Sequence, residues 1–147
     1  MEIRPLAEAD VDAVIRVWIE TKRDTYDFIA LEQTYSDAEN HAFFRGHILP
    51  RCAIWIAVED AAVLGFVALD GSYVDRLYVR PDAQRRGVGA ALLARAIEAS
   101  PAGIELHTHQ QNHAARAFYE KMGFVATRFG VSPAPESLPD VEYQWRP

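Results

Sequence analysis

The chain reads as a mixed α/β domain, with a sheet of about seven strands covered by about four helices in the order β-α-α-β-β-β-α-β-α-β-β. Three observations carry that expectation. Apolar residues recur at helical spacing in separate segments, short β-branched and aromatic runs lie between them, and turn signals stand at most junctions. The 147 residues, half of them apolar and 24% charged, suit one domain over 1–147 with a sizeable core.

Ile3 to Leu6 is a short strand candidate. A helix follows whose Val11, Val14, Ile15 and Trp18 fall at i, i+3, i+4 and i+7, and it runs to about Asp24. Thr25 to Leu31 is an irregular aromatic stretch. Ser36-Asp37-Ala38-Glu39 has capping-box spacing, so a second helix is expected from there, carrying Phe43, Phe44 and Ile48 inward and ending before Pro50. Ala53 to Val58 and Val63 to Leu69 read as strands joined by a turn at Glu59 to Ala62. Asp70-Gly71 is a strong hairpin signal leading to a strand from Tyr73 to Val79, which Pro81 stops. A helix from Gly87 to Ser100 packs through Leu92, Leu93, Ala96 and Ile97. Ile104 to Thr108 is a strand, Asn112 to Met122 a helix stopped by Gly123, and Phe124 to Phe129 a strand. Ser132 to Glu136 is a loop, and Val141 to Trp145 closes the sheet.

Composition removes several function classes. Cys52 is the only cysteine, so neither an intrachain disulfide nor a thiolate metal cluster is expected. His107, His109 and His113 lie close in sequence but lack metal-site spacing, and no metal is expected. No apolar run approaches the ~20 residues of a membrane span, and Met1 to Pro5 lacks signal-peptide form, so a cytoplasmic, membrane-free protein is expected. The net charge of −6 argues against a nucleic-acid partner. That charge is uneven. Twelve acids face six bases up to Asp60, whereas eight bases face four acids from Arg76 to Arg128. A basic half suits an anionic cofactor, and an acidic half suits a cationic substrate.

The basic half contains Gln84-Arg85-Arg86-Gly87-Val88-Gly89, a glycine-bearing turn between a strand and a helix. Its glycines permit close backbone approach, and the helix start offers unpaired N–H groups to an anion. Read alone, it is either an anion cradle or an ordinary corner. It is not a dinucleotide-binding unit, because the third glycine and the later ribose-binding acid are missing.

Gln84 to Gly89 fits the Q/R-x-x-G-x-G/A motif of the GNAT acetyltransferase superfamily. Asn112 to Phe124 fits that family's N-x-x-A-x-x-F-Y-x-x-x-G-F signature, 28 residues further on. The two motifs, with a strand between them, make the chain resemble that family over nearly its whole length. The resemblance implies a GNAT-like, mostly antiparallel sheet and an acetyl-CoA-dependent N-acetyltransferase acting on a primary amine of a small molecule or peptide, by direct attack in a ternary complex.

It also implies residue roles. Leu77, Tyr78 and Val79 would present main-chain groups to the pantetheine arm, in a gap between their strand and the one beginning near Ile104. Arg85, Arg86, Gly87, Val88, Gly89 and Ala90, with Gln84, would hold the pyrophosphate through N–H groups, the arginine side chains adding charge or pointing to solvent. Asn112 would bond the arm or cap its helix, with Ala115 beside it. Tyr119 would face the cleft and donate a proton to the departing thiolate, a transfer uphill by about 2 kcal/mol at ordinary pKa values. For the base, Asp75 stands where relatives place a glutamate. It shares strand parity with Leu77 and Val79 unless a bulge intervenes, and Glu105, His107 and His109 are rivals. Tyr26, Phe28, Tyr35 and His107 are the expected acceptor contacts, while Trp18 and Phe44 are assigned to the core. Cys52 has no evident histidine partner, so an acetyl-cysteine route is not expected. A non-catalytic acyl-CoA-binding module is the alternative, and a homodimer through the Tyr143 to Trp145 end strand is a further expectation.

Overall fold

The computed structural model describes residues 1–25 and 35–147. Among them, seven strands form one sheet in the order β1-β2-β3-β4-β5-β7-β6. These are β1 (Glu2–Pro5), β2 (Ala53–Glu59), β3 (Ala62–Asp70), β4 (Tyr73–Val79), β5 (Ile104–His109), β6 (Val125–Val131) and β7 (Pro139–Trp145). Four α-helices cover it: α1 (Val11–Thr25), α2 (Asp37–Phe43), α3 (Val88–Ala99) and α4 (His113–Lys121). Every neighbouring pair is antiparallel except β4 and β5.

Each face of the sheet holds a core. Under α3 and α4, Leu92, Leu93 and Ala96 meet Val67, Leu69, Leu106 and Tyr143. Under α1 and α2, the stripe Val11, Val14, Ile15 and Trp18 meets Phe44, Ile56 and Phe66. Burying a side chain such as Leu92, fully enclosed here, stabilises by roughly 1.5–3 kcal/mol.

Two hairpins follow their turn chemistry. Asp60 and Ala61, both with positive φ, join β2 to β3. Asp70 pairs with Tyr73, so the next loop is Gly71-Ser72, one residue later than Asp70-Gly71, with Gly71 at φ +64°. A glycine at the first central position suits a II′ turn.

Three expectations change. Phe43 is 41% exposed while Phe44 and Ile48 are fully buried. The helix passes into a π turn over Phe44–Ile48, which aligns those two inward and leaves Phe43 to stack on Trp18 at 6.2 Å. The last strand is not an edge: β7 lies between β5 and β6, so Tyr143 to Trp145 offers no free ladder for a homodimer. The edge beside it is β6, which exposes Val125, Phe129 and Val131. Finally, the β3–β4 register steps from Ala68↔Arg76 to Leu69↔Val74. Asp75 is therefore the extra residue of a bulge and does not share the face of Leu77 and Val79.

Candidate active site

The turn after β4 is built to expose its amides. Arg85 and Gly87 have φ of +63° and +83°, and Gly87 caps α3 in the left-handed region without a side-chain bond. Glycine bears that conformation at no steric cost. Among the described residues, no acceptor meets any N–H from Arg85 through Ala90. Alternating left- and right-handed residues at a helix start concentrate such N–H groups into a cradle for an anion. An added Cβ at Gly89 would make only ordinary contacts with Phe118 and Val79, so the protein itself leaves room there. Val88 is buried and anchors the helix. Arg86 is drawn aside to Glu59 at 2.7 Å, and Gln84 turns back so that Nε2 donates to the Val79 carbonyl at 2.9 Å. Gln84 thus ties the cradle to β4.

β4 and β5 run parallel but pair only at Tyr73↔Glu105, where Glu105 N–H also donates to the Ser72 carbonyl. Beyond that point Leu77, Tyr78 and Val79 pair with β3 alone, and the strands part toward the cradle. The Asp75 bulge sits at the start of this split. From Tyr73 to Val79 the six residue steps span about 20 Å, a length that suits an extended arm. Backbone groups along a split edge are available to an amide-bearing chain.

On the α1 face the split opens into a cleft of about 730 Å³. Trp18 and Lys22 of α1, Tyr73, Arg76 and Tyr78 of β4 and His107 to His109 of β5 line one part; β6, its following loop and β7 line the other. Glu136, Asp140 and Glu142 bring carboxylates to it. Hydrogen bonds from Gln144 and then Thr127, together with nearby His107 and Arg128, hold Glu142 below the usual carboxylate range. It therefore stays ionised. The sequence reading missed this wall because Ser132 to Glu136 reads only as a loop; the alternation of Asp140 and Glu142 with buried Val141 and Tyr143 was the signal available.

Asn112 caps α4, its Oδ1 accepting from Ala115 N–H at 3.1 Å, while Ala115 packs on the α3–α4 core. Tyr119 is 8% exposed, with its ring 5.8 Å from Phe124 and 6.0 Å from Tyr143. His107 is brought to the cleft; Asp75 is not. Asp75 meets Arg76 at 2.9 Å and Arg51 at 3.5 Å, outside the cleft wall. Tyr35 is not part of that wall, although its ring lies 5.8 Å from the Nζ of Lys22, which is. Tyr26 and Phe28 lie outside the described residues. Burial, then nearby Asp75, pushes the Cys52 thiol up to about 11, which keeps it protonated and a poor nucleophile near neutral pH. No helix among the described residues is long and apolar enough to cross a membrane.

A split parallel pair with a backbone cradle at its open end and a polar cleft behind it defines a scaffold for group transfer. Residues 15–124 match the model of the acetyltransferase (GNAT) family. The peptidyl-lysine N-acetyltransferase YjaB of Salmonella typhimurium is 31% identical over 86% of this chain and 85% of its own. The solution structure of the apo form of YjaB from Escherichia coli superposes with a TM-score of 0.80 at 26% identity, covering 98% of this chain and 96% of that one. The fold is also that of the PaiA N-acetyltransferase of Thermoplasma acidophilum in complex with coenzyme A, at TM-score 0.72, 23% identity and coverage of 99% and 98%. The chain belongs to the acetyltransferase (GNAT) family, and its chemistry is that of an N-acyltransferase.

Proposed function

We propose that this acetyltransferase moves the acetyl group of acetyl-CoA to the side-chain amine of a lysine in a peptide or protein, by direct attack in a ternary complex. The observation that carries the donor half is the run of N–H groups from Arg85 to Ala90 without acceptors among the described residues, at the open end of the split. An anionic head fits the cradle, and an amide-bearing arm fits the unpaired side of β4. The name of the Salmonella relative motivates the lysine acceptor. The carboxylates of Glu136, Asp140 and Glu142 support it as close partners for a cationic amine, in a cleft that also holds Lys22, Arg76 and Arg128.

In this reading acetyl-CoA supplies an activated thioester. Leu77, Tyr78 and Val79 align the arm through their main chain, with Asn112 and Ala115 on the opposite side. Gln84 and buried Val88 fix the cradle, while Arg85, which has no ion pair among the described residues, adds charge toward the phosphates. A main-chain N–H of β4 polarises the acetyl carbonyl, an effect worth a few kcal/mol. Tyr119 donates to the departing sulfur.

Isothermal titration with acetyl-CoA tests the donor, and absence of binding at millimolar concentration overturns the reading. Release of CoA thiol with lysine-containing peptides, compared with free polyamines and amino acids, tests the acceptor. Tyr119→Phe is expected to lower kcat by tenfold or more while CoA affinity stays within about threefold; full activity rejects its role.

A further inference from the structure

Tyr73, His107 and Glu142 form a chain of contacts that crosses three strands at the closed end of the split. The Tyr73 hydroxyl lies 3.1 Å from His107 Nδ1, and His107 Nε2 lies 3.5 Å from Glu142 Oε2. All three line the cleft. A carboxylate only accepts, so the nitrogen facing Glu142 carries the proton in neutral imidazole, and Nδ1 accepts from Tyr73. Glu142 is held in place by Gln144 at 2.8 Å and opposite His107 by the β5–β7 register. Asp75, the alternative acid, is outside the cleft and bound to two arginines.

Resting on the proposed transfer from acetyl-CoA to an amine, we infer that Tyr73 and His107 take the proton released by the attacking amine, with Glu142 stabilising the imidazolium that results. As the nitrogen–carbon bond forms and the carbon–sulfur bond breaks, an N–H proton passes to the Tyr73 oxygen. The Tyr73 hydroxyl proton passes at the same time to His107 Nδ1, so Tyr73 ends neutral. His107, 35% exposed, then discharges to solvent. Burial, then Asp75, raises the Tyr73 phenol above its ordinary value, which keeps it a hydroxyl able to donate onward.

The groups facing His107 are Tyr73 from β4 and Glu142 from β7, with Arg128 of β6 behind Glu142 at 3.7 Å. Lys22 of α1 and Arg76 of β4 line the same cleft. Along its own strand, Glu105 bonds Ser72 and His109 faces Glu136.

The test is the pH dependence of kcat/KM, measured by CoA thiol release with a lysine peptide, alongside titration with acetyl-CoA. Wild type should gain activity through the range where histidines titrate, about pH 5 to 8. His107→Gln should lose about 10²-fold in kcat/KM and that limb, with CoA affinity within threefold. Tyr73→Phe should lose tenfold or more, also without loss of CoA affinity. Glu142→Gln should lower kcat/KM, since the imidazolium loses its counter-charge, and should cost nothing further in His107→Gln, a coupling that a merely structural role would not produce. Added imidazole should restore activity to His107→Gly. A His107→Gln enzyme with the wild-type rate and limb overturns the inference and leaves the proposed function standing. A wild type that neither binds acetyl-CoA nor releases thiol overturns both.

Discussion

Gly65→Ala probes how closely β3 and β4 approach beside the cradle. A Cβ at residue 65 would stand 2.6 Å from the Tyr78 carbonyl oxygen, 3.1 Å from Val79 Cα and 3.3 Å from Leu92 Cδ1. The first two are main-chain atoms and cannot rotate away. A tolerable carbon–oxygen contact is about 3.3 Å, so β4 must retreat by about 0.7 Å at its last two residues. Overpacking of this kind costs about 1–3 kcal/mol. With an unfolding entropy of about 2.1 cal/mol/K per residue, each kcal/mol lowers Tm by about 3 °C in a chain of this length. Scanning calorimetry should therefore show a fall of about 3–10 °C. Because Val79 holds Gln84, the same shift should weaken acetyl-CoA binding by titration calorimetry. Gly46→Ala is the control: its Cβ would meet nothing within 4 Å, and its Tm should hold or rise. A Gly65→Ala protein within 1 °C of wild type, on this ~3 °C per kcal/mol scale, refutes the close approach; a lower Tm with unchanged affinity refutes its link to the cradle.

Gly87→Ala meets no steric neighbour but must bear φ +83°, so it should cost about 1 kcal/mol and, by tilting the cradle amides, weaken acetyl-CoA at least tenfold in titration. Ser36→Ala removes the capping bond from Glu39 N–H to Ser36 Oγ and leaves the backbone N–H of residue 36 free to donate to Glu39 Oε1; a loss of about 1 kcal/mol, or about 3 °C in Tm, is expected by calorimetry. Asp10 is held below its ordinary value by Arg4, then by Ala7 N–H. Its contribution is complete above about pH 4 and disappears as pH falls through the lower folded value. Urea midpoints should thus separate Asp10→Asn from wild type at pH 7 and converge in acid below the lowered folded value, and a gap that persists there refutes the assignment.

Local chemistry written in contiguous residues was legible in the sequence. The stripe of α1, the Ser36 cap and the turn from Gln84 to Gly89 each declare themselves within one or two helical turns, and the Asn112 to Phe124 segment adds a second motif at a fixed distance. What depended on register or strand order was not. The bulge at Asp75 exists because two strands disagree by one residue, and nothing in Tyr73-Val74-Asp75-Arg76 alone marks which of them yields. The insertion of β7 between β5 and β6 is likewise a property of pairing. Once Tyr143 pairs with both Leu106 and Ala126, its complete burial follows. Gly65 carried a usable signal, since a lone glycine within a strand points to a bulge or a close backbone approach.

The charge distribution shows the same limit at longer range. The excess of acid before residue 61 suggested that this half draws a cationic acceptor, yet many of those carboxylates are already engaged on the surface. Asp10 binds Arg4, Asp12 binds Arg45, Asp37 binds Arg23 and Glu59 binds Arg86. The cleft takes its carboxylates from Glu136, Asp140 and Glu142 instead, from a stretch that the charge count passed over. An ion pair on the surface projects little field beyond a Debye length of about 8 Å at physiological salt, whereas a carboxylate inside a cleft acts on whatever enters it. Within the cleft those three carboxylates stand among Lys22, Arg76 and Arg128, so an entering amine meets acids at particular positions and not a net negative field, and the surplus of acid over the first sixty residues sets no preference there.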